Sequence, residues 1–385
     1  MKILYILHST IMGGATLSFI NLIKGVKEKG VVPVIVAPQI EEPFRAIVQE
    51  LGIKYYEILA PMSIYPFSKG GFRLYSVYGY IKILLKLIRN KRTSYNQLKN
   101  IVLKENPDII HTNTGVVHEG YKVARSVGIP HVWHLREYQD KDFHWYIFPS
   151  KVWFKRYLRS SYIISITHDI LSSFDIKESM SHRVIYNGVM SEKSICLHWP
   201  KEKYFLCASR ISPEKGIDQV IKVFCKFHES HKDYTLKILG MGNKSYVESL
   251  KQMVFDIGCS DSVEFMGFKN NVADYMKKAH GLIVASRCEG FGRMTAEACF
   301  SGCVVIGKNS GGTMEIIQKT GGELFDSDSE LLACMEQLSQ MNEEEYLGLA
   351  RHAQEVAVSL YSTEKNILET YSFYNDILKE NAKGI

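Results

Sequence analysis

Residues 286–315, SRCEGFGRMTAEACFSGCVVIGKNSGGTME, place two glutamates, Glu289 and Glu297, around a glycine-rich turn. Gly290 and Gly292 let the backbone approach a ligand closely, and MTAEACFSG reads as a helix opening directly behind them. A helix start behind a glycine turn is a ready anion site. The apolar run GLIVAS before the turn and VVIG after Gly302 are short buried strands by composition. The stretch therefore predicts strand, loop, helix, strand, the repeating unit of a doubly wound α/β sheet. A second glycine loop, SGGTME at 310–315, follows. Any doubly wound domain carries glycines at such turns; two acids and two loops at the carboxyl ends of neighbouring strands point further, to ligand binding.

Outward from this stretch, the second half repeats the pattern. The run YFLCAS is a strand that delivers Arg210, and Pro213 and Gly216 shape the loop that carries Lys215 to the mouth of an amphipathic helix. Arginine and lysine on one such loop can clamp two phosphates, one bidentately and one as a point charge. YTLKILGMG and VEFMGF supply further strands, and the alternation runs to about Glu330. The remainder is helical, and its final segment, with Tyr361, Ile367, Leu368, Tyr371 and Leu378, is apolar enough to dock. SEKSICLHWPKEK, polar and aperiodic, is the expected interdomain linker.

The first half opens in the same way. KILYIL is a strand, Gly13 and Gly14 form a turn, and Leu17, Phe19, Ile20, Leu22 and Ile23 recur at helical spacing before VVPVIVAP. This βαβ unit turns backbone N–H groups toward any anion above the sheet, or makes a tight turn with no ligand. NPDIIHTNTG and IPHVWHLREY are further strand-to-loop segments, placing His111, His134, Arg136 and Glu137 just beyond strand ends, for ligand contact or for structural hydrogen bonding.

At 385 residues, 46% hydrophobic and 23% charged, the chain has the length and composition of a two-domain globular protein. No segment approaches the ~20 apolar residues of a membrane span, and MKILYILHST reads as a first strand, not a signal peptide. The eight cysteines lie in the second half without Cys-x-x-Cys; free thiols of a reducing cytoplasm are expected, with Cys299 and Cys303 on one helix face. Residues 1–190 hold 25 Lys and Arg against 14 Asp and Glu; the remainder holds 22 against 27. Positive charge concentrates between Glu57 and Glu105, an interval without one acid. Lys69, Arg73, Lys82, Lys86, Arg89, Lys91, Arg92, Lys99 and Lys104 alternate there with Tyr65, Phe67, Phe72, Tyr75, Tyr78 and Tyr80. Residues 65–104 thus suit an anionic membrane surface; a solvated face with no partner is the plain alternative. Nucleic acid is not expected, since no nucleic-acid module accompanies the patch.

Together, Gly13-Gly14-Ala15, the segment at His134, Arg210 through Gly216, Gly240-x-Gly242 and Glu289 through Glu297 resemble the retaining glycosyltransferases of family 4. The resemblance spans nearly the whole chain. It implies the GT-B fold, two Rossmann-like doubly wound α/β domains facing across a cleft: 1–190 for the acceptor, 191–360 for the donor, and 361–385 as a helix returning to the first. It implies transfer of a hexosyl unit from a nucleotide diphosphate sugar, UDP favoured and GDP possible, to a glycan or lipid-linked glycan in bacterial polysaccharide biosynthesis. Arg210 and Lys215 would hold the diphosphate, Glu297 the ribose, and Glu289 with the amides of Phe291 and Gly292, beside Gly290, the donor sugar. Gly13 and Gly14 would approach the phosphates, and His134 would lie near sugar and acceptor. The resemblance carries no cofactor and no metal, the diphosphate charge being met by Arg210, Lys215 and helix amides. Thr16 stands where the family often has an acid. The location implied is cytoplasmic, peripheral on the inner face of the membrane. Two rival functions are a nucleotide-sugar epimerase of the same architecture and a non-catalytic nucleotide-binding partner subunit.

Overall fold

The computed structural model describes residues 1–66, 74–140 and 145–383. The chain divides into two compact units, Met1–Asn187 with Asn366–Ile385, and Gly188–Lys365. The first contains β1 (Lys2–Ile6), α1 (Gly14–Glu28), β2 (Val32–Ala37), α2 (Phe44–Glu50), β3 (Lys54–Glu57), β4 (Ile64–Pro66) and α3 (Leu74–Glu105). It continues with β5 (Ile109–Thr112), α4 (Glu119–Val127), β6 (His131–Leu135), β7 (Trp145–Ile147), α5 (Lys151–Arg159), β8 (Tyr162–Ser165), α6 (His168–Ser173) and β9 (His182–Val184). Seven strands form one sheet in the order β3-β2-β1-β5-β6-β8-β9, every pairing parallel, while β4 and β7 pair antiparallel apart from it.

The second unit runs β10 (Glu202–Ala208), α7 (Ile217–His228), β11 (Thr235–Leu239), α8 (Lys244–Ile257), β12 (Val263–Gly267), α9 (Val272–Lys278), β13 (Ala279–Val284) and α10 (Arg293–Phe300). Then come β14 (Val305–Lys308), α11 (Gly311–Thr320), β15 (Glu323–Phe325), α12 (Asp328–Gln340) and α13 (Glu343–Tyr361). Its sheet has six parallel strands, β12-β11-β10-β13-β14-β15. The last helix, α14 (Thr363–Lys383), lays Phe373, Tyr374 and Ile377 into the core of the first unit.

Parallel strands are covered on both faces, which is why they read as near-continuous apolar runs. In β10, Phe205 and Cys207 enter one core, and Tyr204, Leu206 and Ala208 the other. In β1, Ile3 and Tyr5 face the cluster containing α1 and α14 residues, whereas Leu4 and Ile6 face that of α3 and α4.

The structure corrects four local expectations. His111 and His134 lie inside β5 and β6, fully buried, and only Arg136 and Glu137 lie past the strand end. The first unit ends at Asn187, so 191–203 is not a free linker: Leu197 and Trp199 pack on the second unit's core, and Glu202 opens β10. Cys303 lies beyond the end of α10, not on a shared face with Cys299, because Gly302 (φ +61) turns the chain. All eight cysteines are free thiols. Within the basic stretch, Lys91 is buried, its ammonium 3.0 Å from Glu119 and held by Ser63 as well. Phe67, Lys69, Phe72 and Arg73 lie outside the described residues, as do the side chains of Tyr65, Tyr75, Tyr78 and Tyr80. Among the described residues no helix is long and apolar enough to cross a membrane.

Candidate functional site

In each sheet the strand order reverses at one place, between β1 and β5 in the first unit and between β10 and β13 in the second. The loops leaving such a pair diverge to opposite sides and open a crevice at the carboxyl ends of the strands. Both crevices are present. That of the second unit is a cavity of about 70 Å³ lined by Ser209, Lys215, Ser286, Glu289, Gly292 and Arg293 among others. That of the first, about 110 Å³, is lined by His8, Ser9, Ala15, Thr16 and Asn113, with Leu7 and Phe19 at its base.

Three loops of the second unit are stitched together by their backbones. The Arg287 N–H donates to Glu214 O at 3.0 Å, and the Gly312 N–H to Glu289 O at 2.7 Å. That close approach needs glycine at 312, where a Cβ would stand 2.2 Å from Phe291 O. Gly292, at φ +88, takes the left-handed turn that opens α10, and no side chain caps that helix start. Lys215 ends a short 3-10 turn from Pro213, and its ammonium donates to Glu289 Oε2 at 2.7 Å with both side chains mostly buried.

The two cations of this loop are not brought together. Arg210 pairs with Glu214 at 2.7 Å at the exposed rim, and it lines a wider surface pocket with Met241 and Asn243. An exposed pair of that kind costs little to open. Glu297 accepts from Arg293 Nε at 2.7 Å, and its burial, opposed by Arg293, raises its pKa above the usual carboxylate value. Phe291 buries its ring against Tyr361, 5.9 Å between centroids.

In the first unit Gly13 precedes α1 in extended backbone with open space where a Cβ would be, and Gly14 is the first residue of that helix. Thr16 donates to Ile11 O at 2.7 Å, closing the turn where an acid would otherwise project. His134 Nδ1 lies 3.2 Å from His111 Nε2, and its own Nε2 is buried without a partner. Arg136 donates to Asn113 at 2.9 Å and Asn187 at 2.8 Å, and burial lowers its pKa to about 10. Glu137 accepts from Thr114 and from the Gly115 N–H, a loop-holding role.

The sequence pattern did not single out Arg293, four residues before Glu297 and so on the same helix face, or the buried Thr295 and Thr313, whose hydroxyls meet at 3.5 Å. The spacing of Arg293 and Glu297 was a usable signal. Two Asp-x-Asp triplets also occur. Asp326 and Asp328 accept from Asn309 and Gln219, outside the cavity; Asp140 pairs with Lys151, and Asp142 lies outside the described residues. Among the described residues no cluster of three His, Cys, Asp or Glu could hold a metal ion.

This pair of doubly wound units with switch-point crevices defines the GT-B class of fold. The model of Glycosyltransferase Family 4 matches residues 12–193 and that of Glycosyl transferases group 1 matches 193–354. The chain belongs to glycosyltransferase family 4, with the GT-B fold. It is 30% identical over 233 residues to an uncharacterised glycosyltransferase of Methanocaldococcus jannaschii, covering 58% of this chain and 62% of that one. It is 24% identical over 185 residues to N-acetyl-alpha-D-glucosaminyl L-malate synthase of Bacillus anthracis, 48% of each chain. The chain spans about half the length of the curated relatives it matches. In structure it resembles Anabaena HepE in complex with UDP, with a TM-score of 0.76, 19% identity and coverage of 97% and 99% of the two chains.

Proposed function

We propose that this protein transfers a hexosyl unit from a nucleotide diphosphate sugar, UDP-sugar before GDP-sugar, to a hydroxyl of a glycan or lipid-linked glycan, with retention of anomeric configuration and without a metal. The observation that carries this reading is the second unit's crevice, where Lys215 and Glu289 meet beside the uncapped start of α10. An ammonium and a helix N-terminus receive the diphosphate and stabilise it as it leaves. Glu289 takes hydroxyls of the sugar, Glu297 those of the ribose, and Arg210 swings from Glu214 to the phosphates. His134, in the first unit, is assigned to the sugar and its acceptor. HepE has been crystallised with UDP-glucose, and a Mycobacterium tuberculosis relative, 33% identical over 129 residues covering 30% of this chain and 32% of that one, is GDP-mannose-dependent, which supports a nucleotide sugar while leaving both bases in play.

A thermal-shift screen against UDP, GDP and their sugars tests it. A ligand at 100 times its dissociation constant stabilises by about 2.7 kcal/mol. Glu297→Ala is expected to abolish most of that shift while melting normally without ligand; a wild-type chain that responds to no nucleotide would sink the assignment. Product anomers followed by NMR, with and without EDTA, test retention and metal independence.

The acceptor half of the proposal draws on α3. Ile81, Leu84, Leu85 and Ile88 are exposed at helical spacing, and Lys82, Lys86, Arg89 and Arg92 are exposed alongside them. An apolar stripe with cations beside it fits the anionic leaflet of a membrane, where a lipid-linked acceptor would sit on the cytoplasmic face. The chain is expected to pellet with vesicles containing phosphatidylglycerol and to be released by salt. Changing those four cations to Gln should cut the bound fraction severalfold; equal pelleting of the variant would refute the surface.

A further inference from the structure

We propose that Tyr374, on α14, is a positioning residue that decides which ring nitrogen of His134 carries the proton, presenting Nε2–H as a hydrogen-bond donor at the carboxyl edge of the first unit's sheet. The proposal rests on the reading that His134 serves the sugar and its acceptor, and it deepens that reading.

The geometry begins with strand register. Tyr5 on β1 pairs with His111 on β5, and His111 with Val132 on β6; His134, two residues further on, therefore lies on the same face of the sheet. Tyr5, His111 and His134 make a diagonal of polar side chains across a face otherwise built of Ile3, Ile35, Ile109, Val132 and Ile164. All three are fully buried. The helix covering that face contributes Tyr374, whose hydroxyl lies 2.7 Å from His111 Nδ1 and 3.4 Å from the Tyr5 hydroxyl. His111 Nε2 lies 3.2 Å from His134 Nδ1. The line ends at His134 Nε2, buried with no hydrogen-bond partner.

A neutral imidazole carries one proton, so each ring donates at one nitrogen and accepts at the other. The line then has two orderings. If the Tyr374 hydroxyl donates to His111 Nδ1, His111 donates from Nε2 to His134 Nδ1, and His134 is left with an unpaired Nε2–H. If Tyr374 accepts instead, every proton reverses and His134 offers a lone pair. The phenol proton has two acceptors within reach, a hydroxyl at 3.4 Å and an imidazole nitrogen at 2.7 Å. The shorter contact to the stronger base takes most of the Tyr374 proton, the Tyr5 oxygen accepting only at the longer distance. Burial and the nearby Arg136 keep both rings uncharged, His131 adding to this at His111, and burial keeps both phenols protonated. What passes along the line is an orientation, not a charge. A buried N–H without an acceptor is costly to keep, and it becomes a gain when a ligand oxygen arrives to accept it.

The test uses the full chain labelled with ¹⁵N-histidine, at pH 8. Long-range ¹H–¹⁵N spectra are expected to show His111 and His134 each as the Nε2–H tautomer. In Tyr374→Phe, which keeps the ring and its packing, the two histidines should give mixed or reversed tautomers. Its kcat/KM for sugar transfer should fall by about five- to tenfold, the worth of one hydrogen bond, with the affinity for free UDP unchanged. An Nδ1–H tautomer of His134 in the wild-type chain overturns the proposal, as do unaltered tautomers in Tyr374→Phe. Altered tautomers with undiminished turnover support the positioning and refute the role of His134 in transfer.

Discussion

Glu289→Gln is expected to bind UDP about fivefold more tightly than the wild-type chain and to transfer sugar at least a hundredfold more slowly. In the absence of ligand the Lys215 ammonium is held by Glu289 at 2.7 Å, at the mouth of the crevice. An incoming diphosphate must draw that ammonium away from one anion while approaching the other. Glutamine removes the competitor for Lys215 and a charge that repels the phosphates; for a partly exposed pair the gain is about the worth of an ordinary ion pair. The same carboxylate is the group proposed to take the sugar hydroxyls, and losing such a contact in the transition state costs about 10²–10³ in turnover. Lys215→Ala should instead lose both binding and turnover. Calorimetry with UDP and initial rates on the three proteins separate these outcomes. Weaker UDP binding by Glu289→Gln, or turnover near the wild-type level, would remove Glu289 from the site.

The second large effect is a loss of the first unit below neutral pH. His111, His118, His131 and His134 are all fully buried there, and burial is the largest cause holding each pKa down, His131 to about 3 and the others well below the ordinary value. The sign follows from the proton count. Above about pH 6.5 neither folded nor unfolded chain protonates these rings; below it the unfolded chain takes up protons that the folded one refuses. For His131, held to about 3, the cost is about 1.4 kcal/mol per pH unit, or about 2 kcal/mol at pH 5. His118, His111 and His134 act in the same direction, against a total stability of about 5–15 kcal/mol for a domain. Urea unfolding at pH 8, 7, 6 and 5, followed by near-UV circular dichroism, should show a steep fall between pH 6.5 and 5. A midpoint that does not move over that range would show that these rings are protonated in the folded chain.

The sheets were legible in the sequence because a strand buried on both faces must be apolar at every position, and KILYI, TLKIL and HGLIV are nearly so. The switch-point loops were legible because glycine is needed where backbones meet, as at Gly312 against Phe291. What failed was local polarity as a guide to exposure. His134 looks like a loop residue in IPHVWHLREY, yet it is a buried strand residue whose Nδ1 meets His111, 23 positions away. Lys91 counts as one more surface cation until Glu119 is found beside it, 28 positions on. The 191–203 segment is polar overall, but Trp199 fixes it against Tyr346, 5.4 Å between ring centroids. Tyr374 could not have been found at all, since its partner His111 is 263 positions distant. Each miss is a contact between residues far apart in the chain, and periodicity carries no record of those.

The division of the first unit between residues 1–187 and 366–385 sets an order of events on the ribosome. The β-sheet of that unit is synthesised early, but the face bearing Tyr5 and His111 is covered only in part by α1 until Phe373, Tyr374 and Ile377 emerge. Residues 188–365, a contiguous unit with its own cores, are complete before then. The later-encoded unit is thus the first able to close, and the nascent amino-terminal half waits with an apolar face open to chaperones or to aggregation. Gly25 shows how close the final fit is, with the position of a Cβ there only 2.1 Å from Ile367 Cδ1. The carboxyl-terminal helix is therefore the latch of this chain's biogenesis, and truncations upstream of it leave the first-made half permanently unsealed.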